Sequence, residues 1–356
     1  MLTARRASVR VVSEDINESV TLSSLVAPSA TESTVRPAIM VVAFEGWNDA
    51  GDAASDAVRL LREASGAKKI SGISDDDFYD YQFSRPQVRR GAGGKKVIKW
   101  PTTHLYRAKL EDSPVDLVLL RGVEPTYRWK AFIAEILTRA EEENVQGVMA
   151  LGALLADVPH TRPIQASVTS GDKDTRAALD IQDSTYEGPT GILGVLAQVA
   201  EASGLPTLSI WAAVPHYVAQ APSPKAELAL LHRVEEFFPL TVDLSELSED
   251  ALAWERGVNE VATADTDVAA YVRQLEQAQD ETSLPEATGE AIAREFERYL
   301  KRRNRPVFGQ DSTSPESSSN LASSGTDQSD NFGSPTTPEE PEDPQGPTGP
   351  QDPASS

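Results

Sequence analysis

The run Ile39 to Phe44, IMVVAF, constrains this chain more than any other segment. A near-continuous apolar stretch of that length suits a strand covered on both faces, and such strands belong to parallel sheets flanked by helices. A helix is predicted directly after it. Ala50, Ala53, Ala54, Ala57, Val58 and Leu61 recur at helical spacing, Asp49 can cap the first turn, and Asp52 complements its positive end. Glu45, Trp47, Asn48 and Asp49 lie between strand and helix. Polar side chains at the carboxyl end of a parallel strand face the crevice where open α/β sheets bind ligands. The same residues also read as a capped turn whose acids only orient the helix, and the sequence leaves both readings open.

The pattern repeats down the chain. Lys69 to Ile73, Asp116 to Leu120, Val148 to Leu154 and Leu208 to Val214 read as further strands, the third broken at Gly152. Helices are predicted on the stripe Trp129, Phe132, Ile133, Ile136, Leu137 and Ala140, over Ile192 to Ala202, and after Ser223, where Pro224 sits in the first turn. This alternation predicts an α/β protein with a mainly parallel central sheet. Val97 to Trp100 and Leu105 to Ala108, separated by Pro101-Thr102-Thr103, read as a hairpin appended to that sheet. Arg89-Arg90 and Lys95-Lys96 flank Gly91 to Gly94 in what reads as a flexible loop.

Beyond Pro239 the pattern is purely helical. Leu247, Ala251, Trp254, Val258 and Val261 form one stripe, and Val268, Tyr271, Val272 and Leu275 the next, with Asp265-Thr266-Asp267 as the turn and cap between them. Ile292, Phe296 and Tyr299 suggest a third helix ending by Arg303. The expected organisation is a polar, poorly ordered leader over 1–36, an α/β core over 37–240, a helical appendage over 241–305, and a disordered acidic tail over 306–356. That tail is rich in Ser, Pro, Gly, Asp and Glu and has no Lys or Arg.

The candidate ligand-binding residues are Glu45, Asn48, Asp49, Arg121, His160, Arg162, Glu187 and His216. Most follow a predicted strand directly or nearly so, and Glu45, Asn48, Asp49, Arg121, His160 and His216 are expected to converge on one rim. His160 and Arg162 could bind an oxyanion, Arg through its planar fork and His as a titratable donor. The glycine-bearing loop Gly188 to Gly191 precedes a helix whose amino end could hold an anion, although Glu187 would repel a phosphate. Against these stands the plain reading of loops tied down by hydrogen bonds. As an enzyme, the chain could draw general acids and bases from Glu45, Asp49, Glu124 and Glu187, and proton shuttles from His160 or His216. None of these stands in a spacing that specifies a reaction. There is no Gly-x-Ser-x-Gly elbow, no His-Glu-x-x-His pattern and no phosphate loop, so no catalytic residue, metal site or cofactor is assigned. Asp75-Asp76-Asp77 reads as a solvated loop, since oxygen-ligated cations need convergent ligands rather than a run.

Composition narrows the partners. A net charge of -22 argues against nucleic acid or an anionic membrane, which would need a local basic patch. The absence of cysteine excludes disulfides and thiolate chemistry. Met1 to Arg36 has no compact apolar region of the signal-peptide kind, which favours the cytoplasm, and no segment approaches the roughly 20 apolar residues of a membrane span.

Three segments carry a resemblance: AFEGWNDAGDAASDAV (Ala43 to Val58), SGDKDTRAALDIQDSTYEGPTGILGVL (Ser170 to Leu196) and VPHYVAQAPSPKAELALLHRVEEFF (Val214 to Phe238). Together with Phe78-Tyr79-Asp80-Tyr81 and Arg85-Pro86, they resemble the proteasome assembly chaperone 2 family in its actinobacterial branch, over about Pro37 to Arg303. The resemblance implies a three-layer α/β/α fold of the phosphorylase/hydrolase type, self-association with a trimer as one form, and proteasome subunits as candidate partners. It implies a non-catalytic, protein-binding or assembly-chaperone-like role and no known reaction. The alternatives are a hydrolase or phosphorylase-like enzyme using the polar rim, or a small-molecule-binding module. One departure is visible: some related chaperones carry a C-terminal hydrophobic-Tyr-any-residue signature, whereas this sequence ends Ala354-Ser355-Ser356.

Overall fold

The computed structural model describes residues 9–10 and 35–283, apart from the single positions 75, 112 and 239. Most of the polar leader, the helix expected around Ile292 to Arg303 and the acidic tail lie outside the described residues. In chain order the strands are β1 (Val9–Arg10), β2 (Ala38–Glu45), β3 (Lys68–Ile73), β4 (Gln87–Arg90), β5 (Lys96–Lys99), β6 (Thr103–Ala108), β7 (Asp116–Val123), β8 (Val145–Ala156), β9 (Ala166–Thr169), β10 (Thr207–Pro215) and β11 (Thr241–Val242). The helices are α1 (Ala53–Ser65), α2 (Trp129–Glu142), α3 (Lys173–Leu179), α4 (Ile192–Ala202), α5 (Pro224–Phe237), α6 (Ser245–Ala264) and α7 (Thr266–Ser283).

A seven-stranded sheet in the order β3-β6-β7-β2-β8-β10-β9 forms the middle layer. Its centre, β7-β2-β8-β10, is parallel, while β6 pairs antiparallel with β7 and with β3, and β9 antiparallel with β10. β2 shows why the fold has three layers. Ile39, Val41 and Ala43 join the apolar cluster made with α1 and α5, whereas Met40, Val42 and Phe44 join the cluster made with α2 and α4. Full burial of such side chains contributes about 1.5–3 kcal/mol each, so the central strand anchors both faces. Because β2 lies between β7 and β8, the chain leaves it first towards one edge and later returns on the other side, which opens a crevice at the carboxyl ends.

Two local expectations are corrected. Val97 to Trp100 does not pair with Leu105 to Ala108: β5 pairs with β4, and β6 enters the main sheet between β3 and β7. The basic pairs Arg89-Arg90 and Lys95-Lys96 therefore close a two-stranded hairpin, with Arg90 opposite Lys96. Gly152 does not break its strand either. β8 runs through it, and a Cβ there would lie 2.6 Å from the Trp211 ring on neighbouring β10, so the position needs glycine for close packing.

After Phe238 the chain pairs β11 with β1 and continues into α6 and α7. Leu247 and Ala251 of α6 are buried, with Leu247 in the α1/α5 cluster, while Trp254 and Val258 are half-buried. Val261 departs from the expected stripe and is 74% exposed. No helix among the described residues is long and apolar enough to cross a membrane.

Candidate functional site: a rim of closed polar pairs

The loop after β2 turns into α1 through Gly51, whose φ of 63° is left-handed and whose Cβ position would fall 2.6 Å from the Ser223 Cβ. Only glycine fits that turn. The turn brings Asp49 back over the start of α1, where its Oδ1 accepts the backbone N–H groups of Ala54 (2.7 Å) and Ser55 (3.1 Å). Asp49 is thus the anion at the α1 amino end. Burial raises its carboxyl to about 6, against the opposing effect of the Ser55 and Ala54 hydrogen bonds. Its Oδ2 is buried without a hydrogen-bond partner.

The loop after β7 does the same for α4. Glu124 Oε1 accepts the Ile192 N–H at 2.9 Å and the Asn48 side-chain amide at 3.1 Å, and its Oε2 accepts the Trp47 N–H at 3.4 Å. The anion taken by the glycine-bearing loop at the α4 amino end is therefore a carboxylate of the chain itself. Arg121 is occupied too, donating to the Ser55 carbonyl at 2.8 Å and pairing with Glu45 at 3.0 Å. Glu45, Asn48, Asp49 and Arg121 thus lie in one local network that Glu124 completes.

His160, Arg162 and His216 form a second group on the same rim, after β8 and β10, joined to α6 and α7. The Tyr217 hydroxyl accepts the His160 backbone N–H at 2.8 Å and lies 2.8 Å from His160 Nδ1, while Nε2 faces Asn259 Oδ1 at 3.1 Å. With its oxygen taken by the backbone, the tyrosine O–H is free to donate to Nδ1, which leaves the proton on Nε2 to donate to Asn259. Burial pushes the His160 imidazole below its ordinary value, with the Asn259 hydrogen bond opposing. Arg162 forks onto Asp280 at 2.8 and 2.7 Å and reaches Glu276 at 3.3 Å, so it ties the β8 loop to α7. His216 lies 3.1 Å from Asp157 and edge-on to Tyr217 and Tyr271. Glu187 is exposed in the loop before α4 and joins neither group. The six residues expected on one rim thus fall into two clusters, Glu45, Asn48, Asp49 and Arg121 in one and His160 and His216 in the other.

Glu227 escaped the sequence reading. It stands on α5 in the stripe with Leu230, Leu231 and Val234, is 5% exposed, and has a buried Oε1 without a hydrogen-bond partner. Burial and then the nearby Asp56 raise it to about 7, with Arg59 opposing. The available signal was an acid standing at a core position of an apolar stripe. Ser223 precedes α5 but makes no side-chain cap.

A groove of about 550 Å³ lies beside α5, lined by Thr161, Ile164, Lys225, Leu228, His232 and Arg233. Its two permanent cations are engaged, Lys225 by Glu255 and the His160 carbonyl, Arg233 by Glu236 and the Ala166 carbonyl. Among the described residues no group of three or more metal-ligating side chains is assembled.

The rim also leaves large apolar side chains open. Trp47 (67% exposed), Tyr127 (51%), Leu155 (50%) and Tyr186 (65%) protrude from loops or strand ends at the carboxyl side of the sheet. Leu154, Phe83, Trp100, Val88, Val97 and Ile98 are further exposed large apolar residues.

Fold and rim together define a three-layer α/β/α protein whose rim charges fasten its own helices and loops while aromatic and aliphatic side chains face outward. The sequence profile described as the PAC2 family matches residues 43–262, and the chain belongs to that family. It is similar to the PAC2 family protein of Streptomyces avermitilis at 48% identity, over 66% of this chain and 99% of that one, with a TM-score of 0.62. It is similar at 44% identity to the Mycobacterium tuberculosis proteasome-assembly chaperone homologue Rv2125, over 66% of this chain and 99% of that one, with a TM-score of 0.60. The M. tuberculosis protein of unknown function Rv2714 shares 25% identity over 79% of this chain and 93% of its own, at a TM-score of 0.61. No functionally curated protein matches.

Proposed function

We propose that this chain is a non-catalytic, assembly-chaperone-like protein that works as a cytoplasmic homo-oligomer and binds proteasome subunits through the carboxyl-terminal rim. The α/β core over 37–240 supplies that rim, and the segment beyond it, which begins with α6 and α7, serves self-association. One observation carries the reading: Glu45, Asn48, Asp49, Arg121, His160 and Arg162 are tied to the chain's own backbone and side chains, while large apolar side chains stand exposed on the same side of the sheet. Large apolar side chains exposed near one another mark protein interaction sites. A hydrolytic or phosphorolytic site would instead need a cleft with a free nucleophile or base and an unoccupied anion cradle. The likeness to a proteasome-assembly chaperone homologue supports the choice of partner. The test is a pull-down with purified proteasome α-subunits. The wild-type chain should retain them, and Trp47→Asp with Leu155→Asp should lose them while melting normally, because both side chains are exposed. Equal retention by the double variant, or none by the wild type, contradicts the reading.

A further inference from the structure

The β4–β5 hairpin carries a charge opposite to that of the rest of the molecule. Residues 81–110 contain no Asp or Glu in a chain that has 55 of them. Arg85, Arg89, Arg90, Lys95, Lys96 and Lys99 lie in and beside the hairpin, and all six are exposed. Arg89 donates to Gln87 and Arg90 to the Gly94 carbonyl, both neutral acceptors, and among the described residues none of the six forms an ion pair with a carboxylate. Arg90 stands directly opposite Lys96, and on the same face Val88 stands opposite Ile98. Like charges facing each other across a hairpin destabilise it, and a two-stranded ribbon outside a larger sheet is marginal in water. The sequence of the hairpin therefore makes poor sense for its own stability and good sense for an external contact.

Position ties the hairpin to the rim. Because β6 is antiparallel to both β3 and β7, β3 runs parallel to β7 and β2, so β3 ends and β6 begins at the carboxyl-terminal side of the sheet. The segment joining them carries the hairpin. Its root is fastened to the loop after β7: the Phe78 carbonyl accepts the Thr126 and Tyr127 N–H groups at 2.8 and 3.1 Å, and the Tyr127 hydroxyl donates to Asp80 at 2.9 Å. Tyr81 then packs on Trp100, just past β5, with ring centroids 4.9 Å apart. The other acids of the root are engaged nearby, Asp76 by the Tyr81 hydroxyl and Asp77 by Arg128. The basic ribbon thus rises from the rim beside exposed Tyr127. We propose that it recognises an acidic face of the protein that docks on that rim, drawing the partner in and setting its orientation. A nucleic acid is negative along its whole length and is repelled by the remainder of a chain with a net charge of -22, whereas a protein need be acidic only where it meets the ribbon. Exposed Val88, Val97 and Ile98 also offer aliphatic contact within the charged surround, which suits a protein surface. This inference rests on the rim reading above and adds the chemistry of the partner's face.

Association of the full chain with purified proteasome α-subunits, followed by stopped-flow fluorescence, tests it. Arg90→Glu with Lys96→Glu reverses the ribbon and replaces one like-charged pair by another, so the pairing within the hairpin is little altered. Lys68→Glu with Lys109→Glu makes the same change in net charge at the opposite end of the sheet, where both lysines are exposed. The hairpin variant should associate about tenfold more slowly than wild type at low salt, and the gap should close as salt is raised. The control should stay within about twofold of wild type. An unchanged or faster rate in the hairpin variant, or equal slowing in the control, overturns the role of the hairpin, while binding by the wild type keeps the rim reading standing. No binding by the wild type overturns both. Hairpin-dependent binding of a labelled single-stranded oligonucleotide, with α-subunit association unaffected by the reversal, would assign the ribbon to a nucleic acid and also overturn the proposal.

Discussion

At the scale of single residues, the two buried acids make the sharpest prediction. Glu227 is raised from its ordinary 4.5 to about 7 and Asp49 from 3.8 to about 6, both mainly by burial. A carboxyl raised on folding stabilises the fold in its neutral form. That contribution is complete below the unfolded value and is lost as pH rises through the folded one. The native state should therefore lose stability between about pH 4 and pH 7 through these two groups. Glu227→Gln should be near neutral at pH 4 and stabilising at pH 8 by about 3 kcal/mol, from the size of its shift. Chemical denaturation at both pH values checks this, and an equal effect at the two would mean that Glu227 is solvated. Asp49→Asn speaks to the enzyme alternative: loss of a measurable turnover with stability retained would reopen it. Asp49 was legible in the sequence as a cap because its partners lie five and six residues away. Glu124 was legible only as an acid near a rim, since the helix it caps begins 68 residues later.

At the scale of elements, the strands buried on both faces were readable because no polar residue interrupts them, as in Ile39 to Phe44. Pairing was not readable where the strands are short and exposed. Both β4 and β5 lack a buried face, so no hydrophobic alternation fixed their register, and β6 was assigned to the wrong partner. The α1 junction also tests the site reading. Gly51→Ala would force a left-handed φ on a residue with a Cβ and drive it against Ser223, which should cost about 2 kcal/mol or more. Thermal melting measures that, and an unchanged midpoint would mean that the turn is not held as described. Trp254 makes a gentler case. It is half-buried and edge-on to His160, with ring centroids 6.5 Å apart, so Trp254→Ala should cost less than the roughly 3–5 kcal/mol of a fully buried tryptophan.

At the scale of the whole molecule, the α/β class and its mainly parallel sheet followed from the alternation of apolar runs and helices, and the three layers from the family resemblance, but the use of the rim followed from neither. Residue types alone cannot distinguish a carboxylate waiting for a substrate from one closing a helix; here Asp49 Oδ1 and Glu124 Oε1 accept helix amides, and Arg121 donates to the Ser55 carbonyl. The overall charge likewise hid its own exception, because a net -22 averages over a thirty-residue stretch without an acid. The most direct test of the rim as a protein-docking surface is amide hydrogen exchange of the full chain with and without purified proteasome α-subunits. The account predicts slowed exchange in the loops at 46–48, 125–128 and 184–188 and at the end of β8, 154–157, with α2 and the outer face of α5 unchanged. Slowed exchange confined to other surfaces, or none at saturating subunit concentration, would contradict it.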